Sequence, residues 1–435
     1  MIKFECDSNY NMYRYKLIGG KVTSIWNGDK VMLGGSSYPV IDFKYYTSDF
    51  CNFEKNISEA NSKMVYHLSG YGALHNEAFS SYLGESSERY TFASLYKVIE
   101  NIIEIGTYDE MYSKYGENKI PPLNLLNGYF LPTERDHYLS SECKIRWVPM
   151  NSLINPEEKV YVPLQMVISN DGLICKDEVQ FMPSAVSTGT ASQETFLKSL
   201  ENAVIEYLQI DSFNLWWYGG CKGKKIEINT IDFLRTFFEK QAKINVFLSY
   251  FDIQFTDISF DKEIDVIVCE IFGKSPNLPQ YTVGVQGGKD YKKTLYRSFM
   301  ECLAVLEYNM HLPWLDPGKF GAVNRESISS ISNLDDNIIY YSKYGKILDV
   351  KFDNDYFSDL NINKSYRPIN SLRKLSKYAC FCNVTLPEFE NLNLFVSRVC
   401  IPELLPMCMP SYPPFYHARY KQIGGIRNGK PHPLA

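Results

Sequence analysis

The sequence of 435 residues predicts an α+β fold, in which one large domain follows a small N-terminal module. Helix-like and strand-like segments alternate irregularly, and long connections rich in Pro, Gly and Asn join them. The apolar fraction of 45% and the charged fraction of 22% are ordinary for a folded domain with a large core. No repeat of fixed period and no low-complexity tract interrupts this pattern.

The individual elements are predicted from periodicity, composition and turn residues, in chain order. Residues 1–60 are predicted to be short β-like pieces with turns and form the module, a candidate docking region, while residues 61–435 form the large domain. The stretch 110–135 is rich in Pro, Gly and Asn and predicts a long connection. Helices are predicted near 65–106, 193–210, 230–242 and 290–310, and strands near 144–150, 158–168, 244–255 and 264–272.

Composition excludes several classes of protein. The formal net charge of −5 leaves no basic surface, so nucleic acid is not an expected partner. The N-terminus MIKFECDSNY lacks the pattern of a signal peptide, and no run of about 18 apolar residues predicts a membrane span. We therefore expect a cytoplasmic protein.

Several common site motifs are missing from the sequence. There is no HExxH motif, no GxSxG motif and no glycine-rich loop with the spacing of a P-loop. The 11 cysteines are scattered through apolar contexts and are predicted to be core residues. Cys380 and Cys382 alternate on a strand-like segment and face one side, but two thiols alone make a poor zinc site.

Three predicted helices carry polar stripes after loops of small residues. The first lies in SGYGALHNEAFSSYLGESSERY (69–90), the second in SQETFLKSLENAVIEYLQIDSF (192–213) and the third in KKTLYRSFMECLAVLEY (292–308). Residues at i, i+4, i+8 and i+11 share a helix face. The stripes are Glu77, Ser81, Glu85 and Glu88 on the first helix, Lys198, Asn202, Glu206 and Gln209 on the second, and Arg297 and Glu301 on the third.

A single stripe of this kind is usually a solvated helix face. Three together favour a binding site, because carboxylates gathered from separate helices repel each other unless cations lie between them. Hard oxygen ligands suit magnesium, which commonly accompanies nucleotide phosphates. The glycine loops could bring backbone N–H groups close to those phosphates. These residues predict a magnesium–nucleotide site without a P-loop.

The same segments resemble the three signatures of the YcaO family. The first has its Gly-x-Gly, Ser and Glu-x-x-Glu-Arg, the second its Ser-x-Gly turn before a helix with Glu-x-x-Gln, and the third its Arg and Glu four residues apart. The resemblance extends from about residue 60 to the C-terminus. It implies a YcaO-type ATP-binding fold, with mixed sheets and the motif helices gathered around a nucleotide site.

The resemblance also implies an activity. Family members use ATP and magnesium to modify ribosomally made precursor peptides. A Cys, Ser or Thr side chain attacks the preceding carbonyl, the former amide oxygen is phosphorylated, and phosphate leaves, so that a thiazoline or oxazoline ring forms. Two alternatives stay open: thioamide or amidine formation with an external nucleophile, and a docking scaffold without catalysis.

The site residues are carried over from the matching motif positions. The expected magnesium ligands are Glu85, Glu88, Glu206 and Glu301, the expected ATP contacts are Arg89, Ser187, Gly189, Gln209 and Arg297, and the expected catalytic tail is Pro431, Pro433 and the carboxylate of Ala435. The second motif departs from the family pattern, because Ile210 replaces an Arg and Lys198 replaces a Glu. The tail has two prolines where three are expected, and a flexible end with chance prolines is the alternative.

Partners follow from the same resemblance. The chain has no room for a leader-binding domain of normal size, so it is similar to the stand-alone D protein of azoline clusters, including those of streptolysin-like toxins. We expect a separate leader-binding partner (a C protein) and a ribosomal precursor peptide. An azoline dehydrogenase is a further candidate partner, and a homodimer is a candidate assembly.

Overall fold

The structure is a computed structural model that describes residues 8–19, 25–26, 32–34, 36–49, 67–129, 138–168, 178–182, 185–329, 331, 333–348, 351–410 and 412–435. Its α-helices are α1 (Ser8–Ile18), α2 (His75–Ala93), α3 (Leu95–Ile99), α4 (Tyr108–Tyr115), α5 (Leu123–Leu126), α6 (Phe196–Trp217), α7 (Thr230–Arg235), α8 (Gln241–Tyr250), α9 (Tyr291–Leu315), α10 (Pro317–Ala322), α11 (Leu334–Tyr344), α12 (Pro368–Leu375), α13 (Pro387–Glu390) and α14 (Ala418–Gln422).

The strands form three sheets in the described part of the chain. They are β1 (Met32–Gly34), β2 (Lys44–Asp49), β3 (His67–Gly72), β4 (Glu104–Thr107), β5 (Lys144–Ser152), β6 (Lys159–Pro163), β7 (Thr190–Gln193), β8 (Lys224–Ile226), β9 (Phe251–Asp257), β10 (Asp265–Gly273), β11 (Tyr281–Gly288), β12 (Cys380–Asn383) and β13 (Phe395–Cys400). The sheet orders are β1-β2-β3, β11-β10-β9-β8 and β4-β5-β12-β13-β7, with β6 also paired to β5. Their ladders run antiparallel, so the predicted α+β class is confirmed.

Strand β10 shows why a continuous apolar run forms a strand in this fold. Val266 and Val268 pack into one core together with Trp216, whereas Ile267 and Cys269 pack into a second core. Successive side chains of a strand point to opposite faces. Both faces of the sheet are therefore covered at β10, and alternation with polar residues is not needed.

The three motif helices are held by these sheets. Helix α6 packs on β7 and β13 of one sheet and on β11 of another. Helix α9 packs on β10 and β11, and helix α2 packs on β3 and β7. Gly284 on β11 lets α9 approach closely, since a Cβ there would lie 2.4 Å from the backbone nitrogen of Cys302. The stripes thereby face the space between the sheets.

The helix predicted for 65–106 is only partly correct. The segment begins with β3 and ends with β4, while α2 and α3 occupy its centre. The strand β3, HLSGYG, carries two glycines that weaken a β pattern in the sequence. At Gly70 the absent side chain allows direct contact with α2, because a Cβ would lie 2.2 Å from the nitrogen of Tyr82.

Two other element predictions are wrong in part. The strand predicted for 244–255 is helix α8 up to Tyr250 and strand β9 after it, and the helix predicted for 230–242 is divided between α7 and α8. Ile244 and Phe247 are three residues apart and enter the same core from α8. A short apolar run does not distinguish a buried helix from a strand, so only the packing decides.

The remaining differences concern connections. The stretch 110–135 includes most of α4, whose Thr107 and Glu110 form a capping box, and all of α5; residues 130–135 lie outside the described residues. The strand predicted for 158–168 ends at Pro163 and continues as a 3₁₀ turn. The predicted motif helices are confirmed as α6 and α9 and extend further, to Trp217 and Leu315.

The N-terminal module is described only in parts. Residues 8–18 form α1 rather than a β-like piece, which corrects that prediction. Strand β2 pairs with β3, so the module shares a sheet with the large domain. The boundary at residue 60 stays a prediction.

Candidate active site

A cavity of about 2690 Å³ collects the polar faces of α2, α6 and α9. Small-molecule sites commonly occupy roughly 300–1,000 Å³, so this cavity has room for more than one ligand. The β7–α6 and β11–α9 loops and the end of the chain also line it.

The predicted stripe on α2 faces this cavity. Its lining members are Glu77, Ser81, Glu85 and Glu88. The flank with Ala78 and Tyr82 is buried in the protein, as expected for an amphipathic helix. The helical spacing thus placed these carboxylates correctly on one face.

The stripe on α6 is confirmed for three of its four residues. Asn202, Glu206 and Gln209 line the cavity. Lys198 instead pairs with Glu194, its Nζ lying 3.0 Å from the carboxylate, and both side chains are exposed. The departure from the family pattern at position 198 therefore lies outside the cavity lining.

Helix α9 contributes Arg297 and Glu301. The guanidinium of Arg297 lies 3.4 Å from Glu77 Oε1 and 3.4 Å from the carbonyl oxygen of Tyr71, and it stacks over the Tyr71 ring at 5.1 Å. Glu77 also accepts a 2.7 Å hydrogen bond from the Tyr296 hydroxyl. Arg297 is therefore fixed between α2 and β3 before any ligand binds.

The N–H groups of the glycine loops contact the side chains of α6. The N–H of Gly189 donates to Glu206 Oε2 at 3.0 Å, and the N–H of Gly287 donates to Gln209 Oε1 at 2.7 Å. Gly189 has φ +85°, and a Cβ there would lie 2.5 Å from the Val399 carbonyl oxygen. Ser187 lines the cavity, whereas Gly189 acts from behind its wall by orienting Glu206.

The carboxylates of Glu85 and Glu88 flank Arg89. Ser69 donates to Glu85 through its N–H at 3.3 Å and its hydroxyl at 3.1 Å. Arg89 lies 3.8 Å from Glu85 and 3.6 Å from Glu88, which is an ion-pair distance rather than a tight hydrogen bond. A cationic side chain thus lies between two of the predicted magnesium ligands.

Burial raises the pKa of the clustered carboxyl groups. It raises the pKa of Glu206 to about 7 and that of Glu301 to about 8, against a lowering effect of Arg89 and Arg297 respectively. The pKa of Glu88 lies well above its usual range, because burial is reinforced by the nearby charges of Glu206 and Glu85. The cavity therefore holds more acidic groups than its own arginines neutralise, and an added cation would favour their charged form.

The structure brings the end of the chain to the same cavity. Ala435 lines it, while Pro431 and Pro433 are buried behind it. The carbonyl of Pro431 accepts hydrogen bonds from the indole N–H of Trp217, at 3.1 Å, and from the hydroxyl of Tyr341. The alternative of a flexible end is wrong, because residues 431–434 are buried.

Sequence reasoning missed Arg398. This buried arginine on β13 donates to the carbonyl oxygens of Val186, at 3.1 Å, and Thr188, at 2.7 Å, and so holds the loop that contains Ser187. A charged residue within the apolar strand FVSRVC was the available signal, since buried arginines need partners. Arg398 itself is not part of the cavity lining; lining residues absent from the prediction include Tyr71, Lys289, Lys293 and His311.

The side chains of the cavity also indicate which metal ion could bind there, and how. No three His, Cys, Asp or Glu side chains within the described ranges converge closely enough to hold a metal ion alone. The lining carboxylates supply hard oxygens, and magnesium commonly combines one or two carboxylates with phosphate oxygens and water. The residues fit magnesium bound together with a phosphate ligand.

Cys380 and Cys382 pack into one apolar core, as predicted.

No helix in the described part of the chain is long and apolar enough to cross a membrane. Fold and site together define an α+β protein whose cavity suits a phosphate ligand with a divalent cation. A family model described as YcaO cyclodehydratase, ATP- and Mg²⁺-binding, matches residues 69–405. The chain belongs to the YcaO family, whose enzymes are ATP- and magnesium-dependent cyclodehydratases.

Solved structures share the fold at low sequence identity. A heterocyclase in complex with substrate and cofactor is 15% identical with a TM-score of 0.60, and the match covers 93% of this chain but only 54% of the heterocyclase. The E. coli microcin synthetase McbBCD complex with pro-MccB17 bound gives 17% identity and a TM-score of 0.59 over 89% of this chain and 91% of the matched one.

A third solved structure shares the fold over almost its whole length. YcaO from Methanopyrus kandleri bound with AMPPCP and Mg²⁺ is 15% identical, with a TM-score of 0.53 over 93% of this chain and 94% of that one. A search of curated proteins gives no match. These similarities establish the fold.

Proposed function

We propose that this protein is an ATP-dependent cyclodehydratase that converts Cys, Ser or Thr residues of a ribosomal precursor peptide into thiazoline or oxazoline rings. The observation that carries the proposal is a single cavity with both the carboxylates of α2, α6 and α9 and the C-terminal residue Ala435 in its wall. Family membership supplies the reaction class. The size of the cavity leaves room for a peptide beside a nucleotide.

The proposed roles follow the charges. Arg89 and Arg297 carry fixed positive charge beside the acids and suit phosphate oxygens. Gln209 is held by backbone partners on β11, and Gly189 orients Glu206. In this proposal Glu85, Glu88, Glu206 and Glu301 hold magnesium, and Arg89, Ser187, Gln209 and Arg297 contact the nucleotide.

The chemistry explains why a nucleotide is needed. An amide oxygen is a poor leaving group, and ATP with magnesium supplies the phosphoryl group that makes it a good one. The peptide thiol or hydroxyl has to lose a proton when it attacks the carbonyl carbon. An ionised carboxylate carries no proton and can only accept one. Ala435 lies in the cavity wall, so its terminal carboxylate is suited to take that proton as a general base.

The proposal includes partners. One similar structure is a synthetase complex of E. coli with a bound precursor peptide. The chain spans 54% of the length of the heterocyclase that it resembles. By analogy with the synthetase complex, we propose that a separate leader-binding C protein presents the peptide here. The protein then acts as the D protein of an azoline cluster such as those of streptolysin-like toxins, in the cytoplasm where ATP is available.

Mass spectrometry of a reconstituted mixture tests the function. The purified protein, its leader-binding partner, a candidate precursor peptide and Mg-ATP should yield a peptide that is lighter by one water per ring. The same mixture without the partner should give little product. Exchange of the amide oxygen for sulfur, which makes the peptide heavier, would instead support thioamide formation, and its exchange for nitrogen from an added amine would support amidine formation. ATP-independent or absent modification of every cognate peptide would contradict the proposal.

A further inference from the structure

The last residues of the chain are held by a side chain that lies outside the cavity. Asn337 on α11 donates through Nδ2 to the carbonyl oxygen of His432 and, at 3.1 Å, to that of Leu434. These two carbonyl groups flank Pro433, which has no N–H to donate. Asn337 is fully buried and is not part of the cavity lining.

The ring of His432 holds the same segment from the other side. Its Nε2 lies 2.8 Å from the carbonyl oxygen of Cys408, and its Nδ1 accepts the N–H of Leu434 at 3.2 Å. A carbonyl oxygen only accepts, so Nε2 carries the proton and Nδ1 does not. The backbone N–H of His432 donates to the hydroxyl of Tyr218 at 3.1 Å. Both ring nitrogens are therefore used by one neutral tautomer.

The orientation of the Asn337 side chain leaves one of its polar atoms unpaired, which destabilises the fold. Its Oδ1 is buried and has no hydrogen-bond partner among the described residues. An unpaired buried acceptor destabilises a fold, because it loses its hydrogen bonds to water and gains none in the protein. Among buried groups such exceptions call for a reason beyond packing. The gain that offsets this unpaired acceptor is the pair of hydrogen bonds from Nδ2 to the carbonyl groups of the tail.

We propose that Asn337 and His432 are positioning residues that fix the last three residues, so that the carboxylate of Ala435 projects into the cavity at one defined place. The inference rests on the proposed function for its catalytic consequence. The geometry behind it is independent of that function, since the carbonyls of His432 and Leu434 and the N–H of Leu434 are all bound by these two side chains. Neither residue contacts the reacting atoms, so both act through Ala435.

The first test compares two buried asparagines. Asn337→Leu removes the bonds to the tail, while the control Asn309→Leu removes an equally buried amide that also has an unpartnered Oδ1 but bonds only Val305 of its own helix. Carboxypeptidase release of Ala435 should be at least tenfold faster for Asn337→Leu than for wild type and the control. His432→Phe, which keeps a ring but loses its nitrogens, should behave like Asn337→Leu. Equal release rates for all four proteins would overturn the inference.

The second test is a double-mutant cycle on peptide cyclisation. Asn337→Leu should lower kcat about tenfold and leave the Kd for Mg-ATP unchanged, whereas Asn309→Leu should match wild type in both. In a protein that lacks Ala435, adding Asn337→Leu should have no further effect, because its route of action is already gone. If Asn337→Leu lowers kcat by the same factor with and without Ala435, then Asn337 acts by another route, and the inference is overturned. Wild-type protein without peptide turnover would count against the proposed function, while the release assay would still decide the inference.

Discussion

Replacing Glu301 by Gln should stabilise the ligand-free protein at pH 8 and much less at pH 5. Glu301 is half-buried on α9, and burial raises its pKa from 4.5 to about 8. An acid with a raised pKa binds its proton more tightly in the folded state than in the unfolded state. The stability that protonated Glu301 contributes is therefore complete below pH 4.5 and is lost as pH rises through about 8. Gln keeps the size and hydrogen bonding of the protonated acid and removes this loss.

The magnitude follows from the two pKa values. A pKa of about 8 in place of 4.5 corresponds to about 4 kcal/mol at pH 8 for a fully buried acid. Because the side chain is half-buried, water screens part of this cost and about 2 kcal/mol remains. For a chain of this length the change equals an increase of about 2 °C in the midpoint of thermal unfolding.

The assay is thermal or urea unfolding of wild type and variant without ligand at pH 5 and pH 8. Glu239→Gln, at an exposed position, serves as the control and should change neither midpoint. Mg-ATP should raise the midpoint of wild type more than that of Glu301→Gln, and the variant should turn over peptide about 100-fold more slowly. A Glu301→Gln protein that is less stable than wild type at pH 8, or an effect of equal size at both pH values, would contradict a raised pKa at this position.

Three further predictions concern the same cavity. Glu85→Gln or Glu206→Gln should lower peptide turnover by about two orders of magnitude with an unchanged circular dichroism spectrum, as expected when a preorganised charge is removed; near wild-type rates in both would contradict the site. Gly189→Ala should destabilise the fold by more than about 1 kcal/mol in urea unfolding, since φ is +85° and Val399 leaves no space for a Cβ; an unchanged urea midpoint would contradict this. Burial lowers the pKa of His432 to about 4, so the stability that the neutral ring contributes is complete above pH 6.5 and is lost as pH falls toward 4. His432→Phe should flatten that part of the curve of stability against pH. An equally steep curve for the variant would contradict this prediction.

The sequence alone determined which residues share a helix face. The spacing of Glu77, Glu85 and Glu88, and that of Arg297 and Glu301, follows from 3.6 residues per turn, a local property that needs no neighbours. The same segments carry the family signatures, and the family model covers residues 69–405. Helix faces and family were therefore predictable.

Local spacing does not determine what lies opposite a stripe. The Gly189 and Gly287 N–H groups were expected near phosphates, yet they bind Glu206 and Gln209, because residues far apart in the chain meet only after α6 docks between two sheets. Helix α8 likewise depends on which core its apolar residues enter.

The tail is the clearest case of a tertiary decision. Nothing in PHPLA distinguishes a loose end from a buried one by composition. Its order comes from Trp217, Tyr341 and Asn337, which are about 90 to 215 positions away in the chain and satisfy its carbonyl groups. Only the assembled fold brings those donors together, and it is their arrangement that places Ala435 in the cavity wall.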